Sequence, residues 1–396
     1  MKFIIESSKV PIYNRIATAF ANTLLEFGHI VFFIDASEFK NNDFIQTIND
    51  IDFDYYVSTN ELNYIQKKSD CNSYYIFEKI HKKIIFIHHD NVFSGIHNIN
   101  EINQKLEAFL KCNNKTNHFL LERSNVDFFK QMGISNAYIT SHASEFKPPK
   151  AKFTEELEVS FVGHLMSSLN LYPSNSIPGG LHLQAFAWNR LSSSSYPIQP
   201  NIFKLLRNEF FFESIGGSQF DNEYCLLQYM IGNLNKLSSA YRGELISSIK
   251  QHRVDIFGGD LSYGKIKDPL MKIEQDNIHY QPPTANYLDA SNIYKSSKIN
   301  INISSLQFDS AINNRIIDVI ASGGFIVSDK RSDLVEQINS AKEIVFETPE
   351  ELNFLISYYK DKKNISKYKE IKTALFEEAS KIFTYQNSVT KILNLV

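Results

Sequence analysis

Short apolar runs alternate along the chain with longer stretches whose apolar residues recur every three or four positions. In the first part of the chain the runs predict strands at residues 2–5, 29–34, 53–57, 83–87, 118–121 and 137–140. Helical spacing predicts helices at about 12–27 and 126–132. Because strands alternate with helices, the pattern predicts a parallel sheet covered by helices. We assign this α/β domain to residues 1–150. Its opening resembles half of a Rossmann fold, without the GxGxxG fingerprint of dinucleotide-binding proteins.

A second α/β domain is predicted after a charged, turn-prone linker at 148–156. Apolar runs at 159–162, 253–257, 278–280, 298–304 and 325–327 predict its strands, and spacing predicts helices at 288–295 and 316–320. We assign residues 157–375 to this domain. Residues 165–235 interrupt the pattern with loop-rich sequence and one partly helical stretch at 202–215, which indicates an insertion. Residues 376–396 are predicted to form a final helix.

Polar residues follow the run at 298–304, where the sequence predicts the start of a helix. Asn313, Asn314 and Arg315 lie at this point, and Asp318 follows one turn later. Parallel sheets bind ligands at the carboxyl ends of their strands, beside helix N-termini. An arginine at a helix start suits a diphosphate, and a carboxylate one turn on suits paired ribose hydroxyls. Alternatively, Arg315 and Asp318 form an ion pair on an exposed helix face.

The run NNRIIDVIASGGFIVSD, residues 313–329, resembles the donor-binding segment of CgeB-like, glycosyltransferase-4-related bacterial glycosyltransferases. That segment has Asn or Pro, any residue, Arg, an apolar pair, Glu or Asp, Ala-x-Gly-Gly, and an apolar strand ending in Ser/Thr-Asp. The family usually has Glu where this chain has Asp318. The resemblance implies the GT-B architecture, in which two Rossmann-like domains face each other across a cleft and the last helix returns to the N-terminal domain. It also implies transfer of a sugar from a nucleoside-diphosphate sugar to a hydroxyl group.

The remaining donor-binding candidates lie at other strand or helix ends of the second domain. A strand ending in "FVG" opens this half of the family, and a helix with an arginine follows, here Tyr241-Arg242-Gly243-Glu244. The candidates are Gly163, His164, Gly258, Tyr263 and Asp289. The two glycines permit close approach of a ligand or of backbone. Each of these residues also fits a purely structural role in a turn or a helix cap.

The acceptor-side candidates His88, His89 and Asp90 follow the strand at 83–87. A histidine at a strand end can act as a base toward an acceptor hydroxyl because its pKa lies near neutral pH. Asp90 could orient that histidine or be the base itself. A structural alternative is that these residues only cap the strand. They are a poor metal site because adjacent strand residues point apart, and no DxD motif lies in a suitable loop. We therefore expect no metal and no cofactor besides the nucleotide-sugar co-substrate.

Composition limits the partners and the compartment. The chain has 396 residues, 41 basic and 44 acidic, with a net charge of −3, which argues against nonspecific nucleic-acid binding. Its three cysteines, Cys71, Cys112 and Cys225, have no metal or redox spacing. No signal peptide or run of about 20 apolar residues is recognisable, so we expect a cytoplasmic protein, with peripheral membrane contact left open.

Two other functions fit the same domain pattern. A non-hydrolysing sugar-nucleotide epimerase shares the two-domain shape but needs catalytic carboxylates in both halves. A two-domain sugar- or nucleotide-binding protein without turnover is the second alternative, although such proteins are usually exported. The sequence does not assign the sugar, the nucleobase, the stereochemical course or the acceptor, which could be a surface glycan, a protein or a small molecule.

Overall fold

The computed structural model describes residues 1–8, 10–35, 41–59, 75–94, 99–147, 155–163, 165, 178–258, 261–262, 265–266, 273 and 275–396. The chain forms two compact units. The first comprises Met1–Val92, Ile96–Ser141 and Tyr385–Val396, and the second comprises Phe93–Gly95 and His142–Thr384. No helix in the described part of the chain is both long enough and apolar enough to cross a membrane.

The first unit contains a six-stranded sheet in the order β2-β1-β3-β4-β5-β6, with every neighbouring pair parallel. Its elements are β1 (Lys2–Glu6), α1 (Pro11–Glu26), β2 (Ile30–Ile34), α2 (Asn41–Asp50), β3 (Tyr55–Thr59), α3 (Ile76–Lys79), β4 (Lys83–Ile87), α4 (Ile99–Lys111), β5 (Thr116–Leu120), α5 (Arg123–Gln131) and β6 (Ala137–Ile139). Each strand predicted for this unit is present, and its first and last residues lie within about two positions of the predicted bounds.

One face of this first sheet is covered by α1 and by the last helix of the chain, α16 (Tyr385–Leu393). Helix α1 begins with Pro11 in its first turn, where the missing N–H costs nothing. Its residues Ala17, Phe20 and Leu24 recur every three or four positions and pack on the strands. Val389 of α16 joins the same core. The final helix thus belongs to the first unit, although the preceding chain belongs to the second.

The second unit contains a parallel six-stranded sheet in the order β11-β8-β7-β12-β13-β14. Its elements are β7 (Leu157–Val162), α6 (Gly180–Ser192), α7 (Ile198–Leu206), α8 (Glu209–Ser214), α9 (Glu223–Leu234), α10 (Ser238–Ser247), β8 (Val254–Phe257), β9 (Leu261–Ser262), β10 (Lys265–Ile266), β11 (Ile278–Gln281), α11 (Tyr287–Ser296), β12 (Ser297–Asn302), α12 (Asn314–Ala321), β13 (Ile326–Asp329), α13 (Ser332–Gln337), β14 (Val345–Phe346), α14 (Pro349–Lys360) and α15 (Ile365–Ser380). Strands β9 and β10 form a separate antiparallel pair. Strands β7 and β12 are neighbours at the centre, where the strand order reverses.

The insertion is more helical than its sequence indicates. Where the structure describes it, the segment 165–235 holds α6, α7, α8 and α9. The buried Arg190 of α6 donates from Nη2 to the carbonyl oxygen of Asp309 at 3.0 Å. The carboxylate of Asp309 accepts from the backbone N–H groups of Ile198 and Gln199, at 2.9 and 2.8 Å, at the start of α7. These bonds attach the insertion to the loop that leads into α12.

Candidate functional site

Asn302, the last residue of β12, gathers the predicted donor residues around one side chain. Its Oδ1 accepts from Nδ2 of Asn313 at 2.7 Å and from Nη1 of Arg315 at 2.9 Å. Its Nδ2 faces Oδ1 of Asp329, at the end of β13, at 3.2 Å. The carboxyl end of the central strand therefore fixes the start of α12. We did not predict this role for Asn302, since its partners lie 11 and 13 residues away in the sequence.

The start of α12 has the features of an anion-binding helix terminus. Asn313 is the N-cap, and its Oδ1 accepts from the backbone N–H of Ile316 at 3.1 Å. An N-cap of this type fixes the first turn of the helix. The first backbone N–H groups and the positive end of the helix dipole favour a negatively charged ligand there.

The guanidinium group of Arg315 lies against β7. Its carbon Cζ is 4.7 Å from the ring centre of Phe161, and a β-carbon on Gly163 would lie 2.3 Å from its Nη2. Gly258 follows the neighbouring strand, where an added β-carbon would lie 3.5 Å from the carbonyl oxygen of Gly163. The structure thus brings the predicted residues Gly163, Gly258 and Arg315 together, and the missing side chain of Gly163 leaves room for the arginine.

A second arginine, Arg242 of α10, lies close enough to Arg315 to lower its own pKa. Its Nε donates to the carbonyl oxygen of Ile303 at 3.1 Å. Burial, followed by repulsion from Arg315, lowers the pKa of Arg242 to about 9. The attraction of Asp329 opposes this shift, but Asp329 is also ion-paired with Arg331 at 2.5 Å. The sequence shows Arg242 on the expected helix, but nothing in it indicates that the side chain approaches Arg315.

These charges make the carboxyl end of β12 electropositive. The hydrogen-bond partners of Arg315 are neutral, namely the Asn302 side chain and the Ile303 carbonyl group. Burial lowers the pKa of Arg315 from its ordinary value of 12.5. Among the described residues, Asp329 is the carboxylate that acts on both guanidinium groups, and it is shared with Arg331, so the two arginines repel each other. The arrangement therefore suits a ligand with at least two negative charges.

Asp318 is buried and does not form the exposed ion pair considered as an alternative. Its Oδ1 accepts from Oγ of Ser144 at 2.7 Å, and its Oδ2 accepts from Nδ2 of Asn314 at 3.0 Å. The Ser144 hydroxyl is also 3.2 Å from that of Tyr287. Both oxygens of the Asp318 carboxylate are thus hydrogen-bonded within the second unit. The ribose role of Asp318 and the donor role of Asn314 stay predictions.

The remaining donor-side candidates have different outcomes. His164 and Tyr263 lie outside the described residues. Asp289 lies in the first turn of α11, where its Oδ2 accepts from the backbone N–H of Ala285 at 3.2 Å. This contact fits the capping role that the sequence left open. Among the residues with a described position, no three His, Cys, Asp or Glu side chains lie close enough to hold a metal ion.

In the first unit, the side chains of the adjacent residues His88 and His89 have different surroundings. His88 is 2% exposed, and its Nε2 lies 3.1 Å from Nδ1 of the fully buried His118 on β5. The ring of His89 instead faces Tyr13 in the first turn of α1, with 6.3 Å between ring centres. The hydroxyl of Tyr13 donates to the Asp90 carboxylate. Because His88 points into the core, the geometry favours His89 and Asp90 over His88 for acceptor chemistry.

Comparison with known proteins identifies the fold. Residues 242–394, which include both arginines and Asp318, match the family model described as "Glycosyl transferase-like". Along its full length the chain is similar in structure to Alr3699/HepE of Anabaena in complex with UDP-glucose, with a TM-score of 0.55, 10% identity and 100% of each chain covered. The chain has the GT-B fold. The predicted α/β class with two Rossmann-like sheets is thereby confirmed.

Two further GT-B structures give the same result at equally low identity. An α-glucosyltransferase in complex with UDP and a 13-mer DNA containing an HMU base has a TM-score of 0.55 and 9% identity, covering 100% of this chain and 99% of that one. The T4 phage BGT in complex with UDP-glucose has a TM-score of 0.54 and 9% identity, covering 100% and 98%. No curated protein is similar enough in sequence to count as a match.

Proposed function

We propose that the chain is a glycosyltransferase in which the second unit binds a nucleoside-diphosphate sugar and the first unit binds a hydroxyl acceptor. The observation that carries the donor assignment is the position of Arg315. Its guanidinium group has neutral partners, lies at a helix start and has Arg242 as a positively charged neighbour. A diphosphate would add negative charge beside these two guanidinium groups.

A uridine nucleotide is the first donor to test. The structures most relevant to this choice, HepE and the T4 phage BGT, are complexes with UDP-glucose. In this proposal Arg315 and Arg242 bind the diphosphate, the start of α12 supplies backbone N–H groups, and Asp318 accepts from the ribose. The geometry of the described residues does not select one sugar, so the donor panel should vary both base and sugar.

The transfer itself needs no redox step. The acceptor hydroxyl oxygen forms a bond to the anomeric carbon while that carbon loses its bond to the diphosphate oxygen, which leaves with the electron pair. The hydroxyl proton passes to Asp90 or His89. The two guanidinium groups offset the charge that develops on the leaving diphosphate. Because these side chains can do the work of a divalent cation, we propose that turnover does not require a metal, and loss of activity in EDTA would disprove this.

The donor assignment is tested by thermal-shift and calorimetric titration with UDP, GDP, CMP and their sugar conjugates, followed by a nucleotide-release assay. UDP should stabilise the wild-type protein. Arg315→Ala should weaken binding by about 1.5–3 kcal/mol, the range for a hydrogen bond to a charged group. Unchanged affinity would remove Arg315 from the site. Stabilisation by free sugars but by no nucleotide would instead indicate a sugar-binding protein.

The proposal also concerns the compartment and the class of acceptor. We propose a cytoplasmic protein, supported by free, buried Cys112 and Cys225. We also propose that nucleic acid is not the acceptor, since the net charge of −3 gives no electrostatic attraction to phosphate backbones. A duplex oligonucleotide in the acceptor panel checks this, because one of the similar structures holds a 13-mer DNA. Transfer of label to that oligonucleotide would refute the exclusion.

A further inference from the structure

The strand order of the first unit marks a crevice at the carboxyl ends of its strands. Strand β1 leads through α1 to β2 on one side, whereas β3 pairs with β1 on the other. In an open parallel sheet, ligands bind at the carboxyl ends of the strands where the order reverses. The crevice therefore lies over the ends of β1 and β3. Glu6 is the last residue of β1, and Ser58 is next to it by the register that pairs Ile5 with Val57.

Glu6 is a carboxylate where the fold alone would favour an apolar residue. The three residues before it, Phe3, Ile4 and Ile5, are fully buried, and Glu6 itself is 5% exposed. The side chain of Tyr56 hydrogen-bonds to Glu6, and burial together with that carboxylate raises the pKa of Tyr56 well above its ordinary value. Burying a carboxylate is costly, and hydrogen bonds offset only part of that cost. A carboxylate at a strand reversal lies where parallel sheets bind their ligands.

The side chains that end β3, follow β4 and begin α1, at the same edge of the sheet, have the composition of a carbohydrate site. Asp90 provides a second carboxylate, held by the Tyr13 hydroxyl, and Ser58 and Thr59 provide hydroxyl groups at the end of β3. The rings of Tyr13 and His89 offer flat apolar faces. Carboxylates accept hydrogen bonds from neighbouring hydroxyls, and an aromatic face packs against the C–H side of a sugar ring. Glu6 and Asp90 are acidic residues at the ends of β1 and β4, which favours a neutral hydroxyl over a phosphate at this edge of the sheet.

We propose that the acceptor is a neutral carbohydrate and that Glu6 binds its hydroxyl groups at the ends of β1 and β3. This inference rests on the proposed function, since it concerns the acceptor of the same transfer. Glu6 is assigned to binding and not to proton transfer, which stays with Asp90 or His89. The proposal predicts an enzyme that is selective for its acceptor. Uncharged glycosides accept the sugar, whereas sugar phosphates and serine-containing peptides do not.

The test uses the full-length protein and the nucleotide sugar that stabilises it most. The acceptor panel contains neutral methyl glycosides, the corresponding sugar 6-phosphates and a serine-containing peptide. At least one neutral glycoside should accept the sugar. Glu6→Gln, which keeps size and removes charge, should raise the KM for that glycoside at least tenfold. The affinity for UDP and acceptor-independent hydrolysis of the donor should stay within twofold of the wild type.

A matched control is Glu122→Gln, which removes another fully buried carboxylate of the same unit, two residues beyond β5. If both variants raise the KM equally, the effect is structural and the proposal fails. Transfer only to sugar phosphates or peptides would also overturn it. If Glu6→Gln does not fold, Tyr56→Phe removes only the hydroxyl group that bonds Glu6, and an unchanged KM in that variant counts against the proposal. Absence of UDP binding by the wild type would refute the proposed donor function instead.

Discussion

The guanidinium group of Arg315 fills the space that a side chain at position 163 would need, and this position is a glycine. A β-carbon on Gly163 would lie 2.3 Å from Nη2 of Arg315, which is too close for any stable contact. On its other side, Nη1 of Arg315 is held by Asn302 at 2.9 Å. The arginine is therefore confined between the ends of β7 and β12. Its position depends on a glycine 152 positions earlier in the chain.

Gly163→Ala should weaken nucleotide binding and also lower stability, because alanine rarely adopts the φ of +154° that Gly163 has. The added methyl group also pushes the guanidinium tip of Arg315 away, so that it no longer points at the diphosphate. We expect a loss of UDP affinity of about 1.5–3 kcal/mol, as for removal of a charged hydrogen bond. Calorimetric titration measures the affinity, and thermal denaturation measures the stability.

Gly243→Ala is the control for this substitution. Gly243 lies within α10, and an added β-carbon would meet nothing within 4 Å. Alanine there should leave UDP affinity unchanged and raise helix stability by up to about 1 kcal/mol. If Gly163→Ala binds UDP as tightly as Gly243→Ala does, Arg315 is not confined in the way the structure indicates.

The sequence predicted the strands and the donor helix because their signals are local. Alternating apolar residues identified β12, and a polar cluster followed by an apolar pair identified α12. Asn302 and Arg242 were missed because their importance comes from contacts across the fold. Asn302 lies inside an apolar run and Arg242 on an ordinary helix, and neither residue type distinguishes a ligand from a structural side chain. The adjacent histidines could not be ranked either, since only the position of His118 shows that His88 points inward.

Asp318→Asn separates the structural role of this residue from its predicted contact with ribose. Both carboxylate oxygens accept hydrogen bonds, from Ser144 and Asn314, and an asparagine would turn an NH2 group toward one of these donors. We expect the free energy of unfolding to fall by about 1–3 kcal/mol. If Asp318 also binds the ribose, the variant should lose the preference of the wild type for UDP over 2′-deoxy-UDP. A lower stability with an unchanged preference would limit Asp318 to packing.

Substitution of the two adjacent histidines should affect different properties. His89→Ala should reduce turnover by about 10²-fold or more, the usual contribution of a general base, without changing UDP affinity. His88→Asn should mainly lower the melting temperature, because it disturbs the buried contact with His118 at 3.1 Å. Steady-state kinetics and thermal denaturation of both variants check this division. Normal turnover in His89→Ala would assign the base to Asp90.

Glu347 should make the attachment of the insertion sensitive to acid. Its carboxylate accepts from the Lys330 ammonium group and, at 3.0 Å, from Oγ of Ser193 in the turn after α6. The hydrogen bond from Lys330 is the main cause that lowers the pKa of Glu347 to about 2. Since this pKa lies below the ordinary value of 4.5, the contact stabilises the fold above pH 4.5 and loses that effect as the pH falls toward 2.

Glu347→Gln should therefore reduce the free energy of unfolding at pH 7 by about 1–2 kcal/mol, after allowance for a side chain that is 29% exposed. The difference from the wild type should shrink steadily below pH 4.5, because Glu347 of the unfolded chain becomes protonated there while the native carboxylate keeps its charge until the pH approaches 2. Urea denaturation at pH 7, 5.5, 4.5 and 3.5 measures it, with the exposed Glu244→Gln on α10 as control. A difference at pH 3.5 as large as the one at pH 7 would mean that packing of Glu347, and not its charge, anchors the turn after α6.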